Sequence, residues 1–201
     1  LADAEAGMLD VLTFATPGQG HAVQGHLIGQ MFLIRWLQGR LPELEAMVDG
    51  VDASLTAWQA AVALVFDACG RAEEAAAVFD TLLALDGNDW PHNEGYLTKT
   101  LLLALLVEPL DRIDKAMVLH RHLQPYAGQN ALVGSSGAVA LGAVDRHLGL
   151  LSMAAGDFDA AERELERAVR LNEAMGAHAW TAHSRADLAR LLLRRAGPTD
   201  G

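Results

Sequence analysis

Apolar and polar positions along this chain recur with a helical period, and no window sustains the period-two alternation of a half-buried strand. The clearest stretch is residues 148–169, LGLLSMAAGDFDAAERELERAV. Leu148-Gly149, then Gly156-Asp157-Phe158, then Ala161, Leu165 and Ala168 predict two helices joined by a turn. Gly149 and Ala161 are small enough for the helices to touch, and Gly156 permits the turn. Phe158, Leu165 and Ala168 bring an apolar face back onto the first helix. The other side reads Glu162, Arg163, Glu166, Arg167 and Arg170, a solvated face on which Asp159/Arg163 and Glu166/Arg170 stand at i,i+4 spacing.

The unit recurs upstream. Ala63, Phe66, Gly70, Ala75, Phe79 and Leu82 occupy equivalent positions, and Phe32, Gly39, Leu44 and Val48 form a weaker copy. A degenerate copy contains Leu103, Ala104 and Ala116, with Asp111 in place of the turn glycine. A last half-unit ends in Ala189, Leu193 and Gly197. The interval from turn position 39 to 70 is near the ~34-residue tetratricopeptide period, and later intervals are longer. Helices are expected near 2–14, 20–38, 41–50, 54–69, 72–86, 93–107, 111–123, 136–155, 158–175 and 178–195, with essentially no sheet. Ser54 and Ser135 or Ser136 are candidate N-caps. The fold class this implies is all-α: a tetratricopeptide-like stack of antiparallel helical hairpins (an α-solenoid) of about ten helices. It is expected to span 1–201 as a single domain, weakest as a repeat over 88–123.

Composition narrows the classes. Of 201 residues 51% are hydrophobic, enough to offset the ordering entropy that keeps polar chains disordered. The single cysteine, Cys69, excludes a disulfide framework and a cysteine-rich zinc site, and points to a reducing, cytoplasmic setting. A net charge of −11 argues against a large phosphate-binding face, so no direct nucleic-acid partner is expected. The longest apolar run, Leu101 to Val107, is far shorter than a membrane span, so no membrane partner is expected either. A start at Leu1 without a basic, apolar leader reads as a piece of a longer protein.

Several ordered motifs resemble the C-terminal helical-repeat region of large bacterial signalling regulators. These carry a STAND-type ATPase module coupled to a nucleotide-cyclase domain or to a LuxR-type transcriptional-activator domain. The resemblance lies in Trp36-Leu-Gln-Gly39-Arg-Leu-Pro-Glu-Leu44, Pro125-Tyr-Ala-Gly128, Gly142-Ala-Val-Asp-Arg146 with Leu148-Gly149, Met175-Gly-Ala177 with Trp180, and Asp187-Leu-Ala-Arg190-Leu-Leu-Leu. It runs over residues 24–196. The family's P-loop, cyclase carboxylates and DNA-reading helices have no counterpart here, and Gln129 stands where a basic residue would follow Gly128. The resemblance therefore implies only the repeat region, which senses a ligand or partner and restrains the ATPase.

Candidate chemistry is sparse. Gly134-Ser135-Ser136-Gly137 looks like a nucleophile elbow, but that motif needs a preceding strand, and helix capping is preferred. His120 and His122 are two apart, which on a helix points them about 200° from one another, so one metal ion cannot take both. His178/His183 and His21/His26 lack metal-ligand spacing, and no metal or other cofactor is expected. Glu43/Glu45, Glu73/Glu74 and Glu162/Glu164/Glu166 fit solvated helix faces. Arg185, Arg190, Arg194 and Arg195 make the last helix basic, complementing its dipole or meeting an acidic neighbouring surface. Trp90, Tyr96 and Trp180 read as packing at repeat junctions.

In stacked hairpins the first helices line a concave groove. Counting from the turns places His26, Trp36, Asp67, Thr98, Arg146, Met153, Asp187 and Arg194 on it, with Trp36 and Met153 equally readable as core. The function this favours is a non-catalytic regulatory or protein-interaction module of a signalling ATPase or transcriptional regulator. Its groove would bind a peptide, a protein (including other domains of the parent chain) or a small effector. The alternatives are a dimerisation scaffold without a ligand, giving a homodimer, and a helical hydrolase using Ser136 with His147.

Overall fold

The computed structural model describes residues 3, 5–7, 20–50, 56–86, 95–133 and 139–197; side chains of 20–27, 49–50 and 85–86 are not among those described. Helix α1 (Gly20–Leu37) leads into a 3-10 segment (Leu41–Gly50), then α2 (Thr56–Ala68), α3 (Ala72–Asp86), α4 (Tyr96–Leu106) and α5 (Ala116–Leu123). Strands β1 (Asn130–Val133) and β2 (Val139–Ala143) follow, and α6 (Val144–Ala154), α7 (Phe158–Ala174) and α8 (His178–Ala196) close the order. The described chain is mostly helical. Sequence neighbours α2 and α3, α4 and α5, α6 and α7, and α7 and α8 pack on one another, and α2 and α6 both pack against α4.

The helices stop where the sequence places turns, for a local reason. At Gly39, Gly70, Asp111, Gly156 and Gly176 the backbone has positive φ. Around each, two hydrogen bonds close the preceding helix. At Gly70, for example, its N–H donates to the Asp67 carbonyl (2.9 Å) and the Arg71 N–H donates to the Phe66 carbonyl (2.9 Å). The same pair recurs at the other four positions. This arrangement satisfies helix-terminal carbonyls that would otherwise lack donors.

Three expectations are corrected. The first is the absence of sheet: β1 and β2 pair antiparallel, with Asn130 opposite Ala143 and Val133 opposite Val139. Leu141 is the extra residue of a bulge, next to Gly142 with φ +77°. The helix expected over 136–155 therefore begins only at Val144. Small residues dominate β2, Val-Ala-Leu-Gly-Ala, and its burial is nearly continuous, so no alternation marked it. Second, the helix expected at 41–50 is 3-10 rather than α. Third, Asp159 pairs not with Arg163 but with Arg195 of α8, whereas Glu166–Arg170 does form, at 3.8 Å. Ser54, Ser135, Ser136, Trp90 and most of the expected first helix lie outside the described residues.

The main core runs from Phe32 through Leu64, Phe79, Leu101, Leu103, Leu119 and Leu148 to Trp180, and a smaller cluster joins Met153, Ala161, Leu165 and Leu191. Polar ties pin the hairpin into this frame. The buried Asn172 accepts from the Ala143 N–H (3.0 Å) and donates to Ser184 Oγ (3.1 Å). Trp180 Nε1 donates to the Ala140 carbonyl (2.9 Å). Buried Asp145 accepts from the Gly128 N–H (2.7 Å) and from Arg167.

Candidate functional site

Where α4 ends and α6 and α8 pass beside it, a cleft of about 250 Å³ opens. Leu105 of α4 and Val107 just past its end line the wall, and Glu108-Pro109 follow. From α6 come Arg146, Leu150 and Ala154, each four residues after the last and so on one helix face. From α8 come Asp187 and Arg190, three apart. The lining is part aliphatic and part charged.

The charges form a chain. Arg146 Nε donates to Asp187 Oδ2 at 2.7 Å, with the two side chains only 9% and 13% exposed. The other Asp187 oxygen stands 3.5 Å from Arg190, and Arg190 stands 3.7 Å from Glu108. Arg194 bonds the remaining Glu108 oxygen. Three guanidinium groups thus share two carboxylates, and both carboxylates are occupied. Arg146 Nη1 is different: it is buried without a hydrogen-bond partner. A buried charged donor left unmet is unfavourable, by more than an unmet neutral one.

Two histidines flank Arg146. His147 is fully buried, and neither ring nitrogen makes a hydrogen bond of ordinary geometry. Burial and the adjacent Arg146 charge lower its pKa to about 3, so it is neutral, the Ala143 backbone offsetting only part of the effect. His183 is also lowered, first by burial and then by Arg146, against the opposing pull of Asp187.

The residues expected on the groove divide. Arg146 and Asp187 pair directly, and Arg194 joins them through Glu108 and Arg190. Trp36 instead packs on the core, edge-on to Trp180 with ring centroids 5.3 Å apart. Thr98 and Met153 are buried, Met153 in the smaller cluster. Asp67 is half-buried at the end of α2, its pKa raised by that burial. His26 lies on α1, and its side chain is outside those described. Four of the expected residues therefore belong to packing or to a different part of the surface. Glu108 and Leu105 were missed, because nothing in a run of leucines ending in one glutamate marks a cleft.

A second polar cluster ties α5, α6 and α7. Ser152 Oγ donates to Glu164 Oε2 (2.7 Å), and His120 Nε2 lies 2.9 Å from Glu164 Oε1. The carboxylate sits between hydroxyl and imidazole, so the histidine cannot take the serine proton as it would in a catalytic triad. His122 turns instead to the Tyr96 hydroxyl, 3.1 Å from its Nδ1. His147, the proposed base for Ser136, is enclosed by the core. The four arginines of α8 are answered within the chain: Arg185 by Glu173, Arg190 and Arg194 by Glu108, Arg195 by Asp159 and Glu162. Among the described residues no group of three or more His, Cys, Asp or Glu side chains converges on a cation site, and no helix is long and apolar enough to cross a membrane.

No family model matches the chain, and neither a curated protein nor a solved structure does. Among the described residues, the class that the fold defines is a largely helical chain of successively packed helices with an inserted β-hairpin.

Proposed function

We propose that this chain is a non-catalytic, tetratricopeptide-like regulatory module, the repeat region of a bacterial signalling ATPase or transcriptional regulator. It would take its ligand, a peptide, protein segment or small effector, where α4, α6 and α8 meet. The observation that carries this reading is the cleft itself: aliphatic side chains beside a chain of arginines and carboxylates, with Arg146 Nη1 left unmet. Pockets with an apolar body and a few convergent polar groups are the ordinary form of a small binding site. Occupancy would shift the parent protein between restrained and released states by its differential affinity for the two.

The residues on which the resemblance to that regulator family rests pack together. Its scattered motifs meet one another: Gly128 bonds Asp145, Gly142 lies under Trp180, Trp36 packs on Trp180, and Arg146 bonds Asp187. Residues that depend on one another for packing have a physical reason to occur together. The reading is tested by thermal unfolding against a peptide library, a small-molecule panel and an added ATPase module. A binder raises Tm in proportion to its occupancy, and no shift from any of the three overturns the reading.

A second reading, a dimerisation scaffold, is favoured by Leu192 and Leu193, 45% and 74% exposed on α8. Light scattering over a wide concentration range tests it, and a concentration-independent monomer overturns it.

A further inference from the structure

We propose that the α4/α6/α8 cleft binds a small aliphatic monocarboxylate, with its carboxylate on Arg146 and its hydrocarbon body on Leu105, Val107 and Leu150. This rests on the reading of the cleft as a ligand site and narrows it to one chemistry.

Three observations lead there. The first is size. About 250 Å³ holds a compact organic molecule but not a helix, whose diameter with side chains is roughly 10–12 Å. The second is the aliphatic part of the lining. Leu105, Val107, Leu150 and Ala154 present hydrocarbon, which selects a ligand with an apolar body. The third decides the head group. Both oxygens of Asp187 and of Glu108 already face arginines, while Arg146 uses Nε on Asp187 and leaves Nη1 unmet. Both carboxylates of the site are therefore engaged, while Arg146 has a donor without an acceptor. An ammonium group would find its carboxylates taken, and an alcohol would offer a weaker acceptor than an ion does. Three guanidinium groups against two carboxylates also leave one positive charge uncompensated, although the whole chain carries −11. The Arg146 side chain is only 9% exposed, so its charge acts through little water and attracts an anion more strongly than a surface arginine would. Nη1 is enclosed in this conformation, so the ligand's carboxylate meets Arg146 once the guanidinium turns toward the cleft, where it can present two parallel N–H groups.

The test is a titration of the isotopically labelled protein, followed by amide and methyl NMR, with 4-methylpentanoate. Its neutral amide, isopentylamine and leucine run in parallel. The expected result is saturable shifts at residues 104–109, 146–154 and 187–190 with the acid, and none there with amide or amine. Arg146→Met keeps the aliphatic stem and removes the donor, and weakens the acid about tenfold or more. Should that variant fail to fold, Ala154→Leu fills the cleft from its edge and abolishes the same shifts while Tm stays within a few degrees of the parent. Equal binding of acid and amide, preference for the amine or for leucine, or no saturable shift at the cleft overturns the proposal. If the acid fails while a peptide or the ATPase module still shifts those resonances, the carboxylate assignment falls and the binding site stands. If nothing shifts them, both fall.

Discussion

Gly149 shows how a single missing methyl group sets the distance between two helices. A Cβ there would lie 2.6 Å from Leu165 Cγ and 3.2 Å from the Ala161 carbonyl oxygen, so α6 and α7 can touch only because position 149 has none. Gly149→Ala is expected to destabilise by about 1–3 kcal/mol, through displaced Leu165 and a pushed helix. The urea midpoint of the purified variant measures it, and an unchanged midpoint would contradict the contact. Asp111 is the opposite case. It stands at φ +54°, where an L side chain is strained, at the one turn among the five without a glycine. Asp111→Gly relieves that strain but frees the unfolded chain, so a net gain below about 1 kcal/mol is expected. Thermal unfolding should show a small rise in Tm, and a clear fall would mean that the Asp111 side chain has a role the backbone does not explain.

At the scale of elements, the β-hairpin depends on side chains from α7 and α8. Asn172 supplies its amide to Ala143 and to Ser184 in a fully buried setting, so removing it orphans two groups at once. Asn172→Leu is expected to cost about 2–3 kcal/mol. Amide hydrogen exchange should show the loss first over 139–143 rather than over α2 and α3. Uniform loss would mean that the hairpin opens only with the whole protein. Some helices were legible to within a residue: 72–86 is as expected, and 158–175 and 178–195 each differ by one residue at the end, whereas those expected over 111–123 and 136–155 begin five and eight residues late. A helix end written as a residue that tolerates positive φ is a local instruction. The hairpin is not local, because its short strands are stabilised by Trp180 and Asn172, some thirty to forty residues away.

For the whole molecule, acid should act in two windows. His147 is neutral in the folded chain, with a pKa of about 3, and an unfolded histidine titrates near 6.5. Between these values the unfolded state binds more protons, so stability falls as pH drops through about 6.5 toward 3. The loss is roughly 1 kcal/mol per pH unit from this residue, and His183 is shifted in the same sense. The carboxyls of Glu43, Glu74 and Asp80 are held low by hydrogen bonds from Arg40, Arg71 and Arg112, so their contribution is present at neutral pH and disappears below the usual carboxylate range. His147→Leu is expected to flatten the upper window alone and to be no less stable at pH 7, since it removes two unmet buried nitrogens. Denaturant unfolding at pH 7, 6 and 5 checks both statements. A variant that keeps the full slope would place the titrating group elsewhere.

The helical period, the turn residues and the small contact residues Gly149 and Ala161 were determined by the sequence alone, because each works through neighbours within one or two turns of chain. The sequence also placed Arg146 and Asp187 on one groove, but in company with Trp36, Thr98 and Met153, which the structure uses elsewhere. The direct pairing of Arg146 with Asp187 was not determined there: the two lie 41 residues apart, and Arg194 and Glu108 lie 86 apart. Which acid answers which arginine depends on how α4, α6 and α8 converge. That choice also separated Trp36 and Met153, used in packing, from Arg146, whose Nη1 is enclosed and unmet. Burial is a property of the assembled chain, and here it turns an ordinary arginine into a candidate anion site.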